Sequence, residues 1–340
     1  GYGPSLIERA ALDALCRAQG VSFYDALRQN LIGAELFEGL DLPAVLAGLI
    51  PARKIAARHT VGLVDPITAA DLKERVNDGL PETLEDVVAH YGHRYFKLKV
   101  AGNAAADVER LAAIAAVLDR IAEPYFVSLD GNEQYADMAG VAELWRRMKS
   151  DLRLDRLVAS ILFIEQPVTR SHALEQPVKG IERPVIIDES DDSLDAFVRA
   201  RALGYRGVSS KTCKGLYKSL INRARCARWN DDEGAARYFM TGEDLTIQAG
   251  LALQQDLALV ALLGLTHVER NGHHYVNGMA ALPQSEQDAF LAAHPDLYER
   301  SHGAVRVRIR GGELAIASLA CAGYASGAQP EWQSMRSMPQ

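Results

Sequence analysis

Cysteine is scarce in this chain. Cys16, Cys213, Cys226 and Cys321 are the whole complement, and no two of them form a CxxC pair. That excludes a zinc ribbon and a disulfide scaffold, and makes a reducing cytoplasm the simplest expected compartment. Long apolar runs are missing too. The longest, Leu257 to Leu265, falls well short of the ~18 residues that a membrane span requires. Nor is there an excess of basic charge: 37 Lys and Arg face 44 Asp and Glu, for a net charge of −7. With no basic cluster to offset it, an acidic chain repels phosphate backbones, so no nucleic-acid partner is expected. The opening GYGPSLIERA has neither a Met nor a basic stretch leading into an apolar one. No signal peptide is read there, and the missing Met points to an incomplete N-terminus. Aromatic residues are only 7% of the chain while Ala, Leu and Val abound, which suits helices packed on buried strands.

What is present is alternation. Leu6, Ala10, Leu12 and Leu15 repeat at helical spacing up to a stop at Gly20, and a second short helix begins at Phe23. Asp41 to Pro51 reads as a linker. From about residue 55, strand and helix patterns alternate. The eight strands are 55–64, 94–100, 124–130, 159–165, 183–189, 205–211, 236–242 and 266–270. Several are apolar on both faces, as buried parallel strands are. Such regularity over about 220 residues fits a closed (β/α)8-type barrel or an open doubly wound sheet. No GxGxxG follows the first strand, which weakens a dinucleotide-binding version. The rhythm breaks after Pro283, where 306–317 reads as a hairpin turning at Gly311-Gly312.

The informative residues are those that end the strands, because in a barrel these converge on one face. Strand two ends in Lys97 and Lys99, strand three in Asp130 followed by Asn132, and strand four in Glu165 followed by Gln166. Strand five ends in Asp188 and Glu189, strand six in Lys211, and strand eight carries Glu269. Each follows a buried apolar run, and an unpartnered buried charge costs several kcal/mol. Any one carboxylate here is as well explained as a helix cap. Asp130, Glu165 and Asp188 together are not. Three such groups in one mouth repel each other unless a cation sits between them. Three oxygen ligands without Cys or His suit Mg²⁺ better than zinc. Lys97 and Lys99 lie two apart and so point to one face. Held together, and near a dication, they are expected to depress each other's pKa from ~10.4 toward neutrality, giving a usable base. Lys211 lies across the barrel from them.

This constellation closely resembles the enolase superfamily and, within it, the muconate lactonizing enzyme subgroup (mandelate racemase/muconate lactonizing enzyme-like proteins). The resemblance runs from about residue 5 to 280. It is carried by SLIERAALDALCRAQGVSFYDAL, by Lys97-Leu98-Lys99, by Asp130 in LDGN, Glu165 in IEQP and Asp188 in IIDES, and by Lys211 in SSKTCKG. It implies an α/β fold: a modified TIM barrel, (β/α)7β, over 51–282. The capping domain would be α+β, with its last helices at 1–50 and a returning segment at 283–340. On that resemblance, the N-terminal strands of the capping domain would be the part not found in this sequence. The resemblance also implies the chemistry. Mg²⁺, with Mn²⁺ as a substitute, would sit on Asp130, Glu165 and Asp188 and stabilise an enediolate formed from a small-molecule carboxylate. Lys99 would be the base on one face, Lys97 its helper, and Lys211 the acid or base on the other face. Asn132, Glu189 and Glu269 would stand behind the metal ligands or against substrate, with Glu189 paired to Lys211. A cytoplasmic homo-oligomer is implied as well.

Departures bear on the reaction. Strand six continues Cys213-Lys214-Gly215 where the pattern has Gly-Gly, and strand eight reads HVERNGHH rather than carrying Asp-x-Asp, which argues against a dipeptide substrate. His267, His273 and His274 read as solvated loop histidines, with a substrate contact as the other reading. Two lysines on opposite faces favour racemisation or epimerisation. Cycloisomerisation and syn-elimination, of the succinylbenzoate synthase kind, use the same residues. Two further alternatives stand beside these: a pyridoxal-phosphate barrel with Lys211 or Lys99 as the Schiff-base lysine, and a non-catalytic metal- or ligand-binding relative.

Overall fold

A computed structural model describes residues 1–243, 249–273 and 276–335. Eight parallel strands close on themselves: β1 (Lys54–Val61), β2 (Tyr95–Lys99), β3 (Phe126–Asp130), β4 (Ile161–Glu165), β5 (Val185–Ile187), β6 (Gly207–Ser210), β7 (Phe239–Gly242) and β8 (His267–Glu269). Each pairs with the next, and β8 returns to β1 through Val268 opposite Ala57. The closed sheet, rather than the open one, is therefore the fold. β9 (Glu313–Ala315) adds an antiparallel strand outside β1.

Three of the helices between the strands start where a short polar side chain meets a free backbone N–H group. Thr83, Asn103 and Asp137 accept from the N–H of Asp86, Ala106 and Gly140 at the heads of the helices Leu84–Tyr91, Ala104–Leu118 and Met138–Ser150. At the N-terminus, helix Tyr2–Gln19 ends at Gly20 in the left-handed region (φ 65°), and Phe23–Arg28 starts at the Ser22 cap. These helices are tied to the chain's far end. Phe23 stacks on Tyr324 with centroids 4.1 Å apart, and Ser22 bridges to Ala322 and Gly323.

Two expectations are corrected. The segment 41–51 is not simply a linker, because Asp41 caps a helix, Leu42–Ala47, through the Ala44 N–H. The chain does turn at Gly311-Gly312, between Arg310 and Glu313, but the strand that leaves the turn pairs with β1. The hairpin partner of Ala304–Val307 is Tyr298–Ser301. Alternation alone could not choose between these partners.

Inward-pointing residues stack in layers. The lowest is aromatic: Tyr95 stacks on His267 (centroids 4.8 Å), and Phe163 lies between His267 and Phe239. His267 is thus a half-buried floor residue, not a solvated loop histidine. Its ring nitrogen meets the Arg58 guanidinium, which itself lies over Phe163 at 5.5 Å. Burial, and next the Arg58 charge, hold the His267 pKa well below the usual histidine value. His273 is half-buried and bridges the Tyr91 hydroxyl and the Pro81 carbonyl, each at 2.8 Å. His274 lies outside the described residues.

A neutral His267 has a pH consequence. Its folded pKa lies below its unfolded value of ~6.5, so as pH falls through ~6.5 the unfolded chain takes up a proton that the folded chain refuses. Stability should therefore fall with decreasing pH, by up to about 1.4 kcal/mol per pH unit from this group. Buried His294 shifts in the same direction. Urea unfolding at pH 7.5 and 5.5 should show a smaller loss for His267→Gln than for wild type. An equal loss would remove His267 from this account.

Candidate active site

The layer above the aromatic floor is charged. β1 contributes Arg58, β2 Lys97, β4 Glu165, the end of β7 Glu243 and β8 Glu269, all of them buried. Lys97 Nζ stands at the centre. It donates to Glu165 at 2.9 Å, Glu243 at 2.9 Å and Glu269 at 3.1 Å, and pairs with Asp130 at 2.9 Å. Burial opposes the charge on Lys97, but Asp130, Glu165, Glu243 and Glu269 outweigh it and hold its pKa well above the ordinary lysine value. The expectation that the two lysines depress each other is therefore corrected for Lys97, whose neighbours are carboxylates.

The upper layer opens toward solvent. Lys99 Nζ reaches Asp130 at 2.6 Å and keeps 24% of its side chain exposed. Lys211 reaches Asp188 at 2.6 Å with 13% exposed. Across five consecutive strands, β2 to β6 with its following residue, the order is lysine, aspartate, glutamate, aspartate, lysine. Register sets Lys99 beside Asp130 and Asp130 beside Glu165.

Two loops hold this row. Gly131 packs so closely on Pro167 that a Cβ there would lie 2.4 Å from its Cα. Gln166 sits at φ 30°, and its Oε1 accepts from the N–H of Asp188 (2.9 Å) and Ser190 (3.1 Å). Its Nε2 donates to the Val168 carbonyl and to Ser190 Oγ, both at 2.8 Å. Every polar atom of this buried amide is used, which ties the loop bearing Glu165 to the one bearing Asp188.

Asn132 accounts for its place as well: its N–H meets Asp130 Oδ1 and its amide donates to Glu189, both at 2.7 Å. The pairing of Glu189 with Lys211 is corrected, since Lys211 is paired to Asp188 and Glu189 to Asn132. Burial, and then repulsion from Asp188, raise the Glu189 pKa. Asp188 goes the other way. Burial opposes its charge, but Lys214, Lys211 and Lys97 hold it well below the usual carboxylate range.

Sequence reasoning missed four contributors. Lys214 pairs with Asp188 at 2.7 Å and donates to Ser209 Oγ at 2.6 Å. Ser209 also donates to Asp188. Glu243 receives Arg58 on one oxygen and Lys97 on the other. Burial alone would raise its pKa, yet these two cations hold it at about 2. The missed signal was parity: Arg58 falls at an inward position of β1, and Glu243 at the inward position that follows β7.

The carboxylates fit a divalent cation in donor type and in lying on neighbouring strand ends. Asp130, Glu165 and Asp188 offer only oxygen, from adjacent strand ends. Glu165 Oε2 is buried without a hydrogen-bond partner. Burial, and then repulsion from Asp130 and Glu243, push the Glu165 pKa well above the carboxylate range, so a second cation would be welcome there. Among the described residues no three such side chains converge as a finished coordination cluster, since each carboxylate faces a lysine.

Comparison with known proteins agrees with the fold. Residues 79–230 match the family described as Enolase C-terminal domain-like. No curated protein matches the chain. A muconate lactonizing enzyme from Klebsiella pneumoniae is similar over 96% of this chain and 72% of its own, with TM-score 0.57 and 18% identity. An isomerase from Streptomyces coelicolor A3(2) gives TM-score 0.60 at 16% identity over 96% and 71%. A member of the enolase superfamily from Roseovarius nubinhibens ISM, complexed with magnesium, gives 0.56 at 19% over 96% and 69%. At these identities the likeness to the solved structures is one of fold.

The buried charges should be strongly interdependent. Arg58→Met leaves Glu243 with one cation fewer in a dry layer, and should cost about 3–5 kcal/mol in urea unfolding. Arg17→Ala, which removes a half-exposed bridge to Asp13, should cost less than about 1 kcal/mol. Similar losses for the two would contradict the charged layer as described.

Proposed function

We propose that this chain, whose barrel is of the enolase-superfamily kind, abstracts the α-proton of a small carboxylate substrate and returns a proton to the same carbon. The reading makes it an isomerase acting by racemisation or epimerisation. The observation that carries it is the row at the barrel mouth, in which Lys99 and Lys211 flank three carboxylates from opposite sides.

Asp130, Glu165 and Asp188 would hold Mg²⁺, or Mn²⁺ in its place, which when bound supplies Lewis-acid stabilisation of the charge developing on the substrate carboxylate. The remaining work falls to the chain's own groups. Lys99 meets the substrate carbon from the β2 side and Lys211 from the β6 side, so one takes the proton and the other delivers one. Asp188 holds the Lys211 proton: burial lowers the lysine's pKa, but Asp188 and then Glu165 raise it above the usual value. Once Asp188 is engaged elsewhere, burial favours the neutral amine that a base must be. Lys97 stays charged beneath and helps orient the carboxylate. Gln166 and Gly131 keep the loops in register. The same residues serve a cycloisomerisation or a syn-elimination, and product analysis separates these from racemisation.

The test is α-proton exchange in D₂O with Mg²⁺ over amino-acid derivatives, dipeptides and hydroxy acids. Lys99→Ala and Lys211→Ala should each lose exchange from one face by about 10²-fold or more. Mg²⁺ binding without exchange on any compound would overturn the α-proton reading.

A further inference from the structure

Lys97 has two kinds of carboxylate partner. Asp130 and Glu165 belong to the row that would hold a divalent cation. Glu243 and Glu269 do not, and each is anchored from behind. Arg58 Nη2 donates to Glu243 Oε1 and also to the Gly242 carbonyl at 3.0 Å, while Thr60 Oγ1 donates to Glu269 Oε1. In both residues the other oxygen, Oε2, is left for Lys97 Nζ, at 2.9 and 3.1 Å. An ammonium has three hydrogens. Two of the three already point at these anchored oxygens, and the third at Glu165. Side-chain exposure of Glu243 is 0% and that of Glu269 is 9%, so water does not stand in for them.

We propose that Glu243, seconded by Glu269, is a positioning residue that seats the Lys97 ammonium while a divalent cation takes Asp130 and Glu165. The inference rests on the metal-dependent reading above. A lysine ammonium and a dication compete for the same carboxylates, and the competition is eased where the ammonium keeps other charge-assisted hydrogen bonds. Removing one anchored carboxylate returns Lys97 to Asp130 and Glu165, where it opposes the cation. Glu243 thus sets cation affinity through Lys97 rather than by touching metal or substrate.

The test is calorimetric titration of the whole chain with MgCl₂ and MnCl₂, without substrate, on wild type, Glu243→Gln, Lys97→Met and the double variant. Glu243→Gln should weaken Mg²⁺ binding about tenfold or more, the scale of one charge-assisted hydrogen bond. In the Lys97→Met background the same change should shift the dissociation constant less than about twofold, because the coupled term is gone. An equal weakening in both backgrounds would mean that Glu243 acts by its field alone, and would overturn the seat. An unchanged constant in Glu243→Gln with wild type still binding Mg²⁺ would overturn it too, leaving the metal site intact. Absence of Mg²⁺ and Mn²⁺ binding to wild type would overturn the metal reading itself and this inference with it. Should Glu243→Gln fail to fold for want of the Arg58 pair, Glu269→Gln, which leaves that pair whole, is expected to weaken binding in the same Lys97-dependent way.

Discussion

A lysine ammonium surrounded by acids is the interaction on which this barrel depends. Lys97 is 3% exposed and lies within 3.1 Å of four carboxylates on β3, β4, β7 and β8. A charge so far from water is tolerable only when its partners are close and themselves satisfied. Arg58 and Thr60 provide that second condition for Glu243 and Glu269 from β1, and the barrel must close for β1 to reach β7 and β8. Closure and charge compensation therefore require each other.

That compensation explains the shape of the mouth. Three carboxylates from neighbouring strands would repel each other, and the cations between them are the chain's own lysines: Lys97 and Lys99 on Asp130, Lys97 on Glu165, Lys211 and Lys214 on Asp188. Such a site is poised for exchange. On the proposed reading, a cation arriving from solvent would meet acceptors already in place, and the lysines it displaced would be the groups that handle protons. Lys97 is the exception, being too deep and too well held to leave.

The loops give the row its precision. Gly131 against Pro167 allows no side chain, and Gln166 spends its whole amide on its own loop and the neighbouring one. These contacts set the approach of β3, β4 and β5 to within a hydrogen bond. They give the short motifs LDGN and IEQP a structural reason that is independent of what the site binds.

Much was legible in the chain's order. The eight strands, the acids and lysines at their ends and the exclusion of a membrane-crossing helix all follow from local periodicity and from charges placed after apolar runs, and these need no partner to be seen. The tertiary structure decided the rest. Whether Lys97 is a base or a counter-ion depends on which strands meet across the barrel, and Glu243 and Arg58 lie 146 and 39 residues from it along the chain. The place of His267 in the floor, the choice of Asp188 over Glu189 by Lys211, and the pairing of 313–315 with β1 likewise depend on closure and register. A sequence shows which charges exist; only the closed barrel shows which of them share a dry space, and in a dry space the nearest partner decides the chemistry.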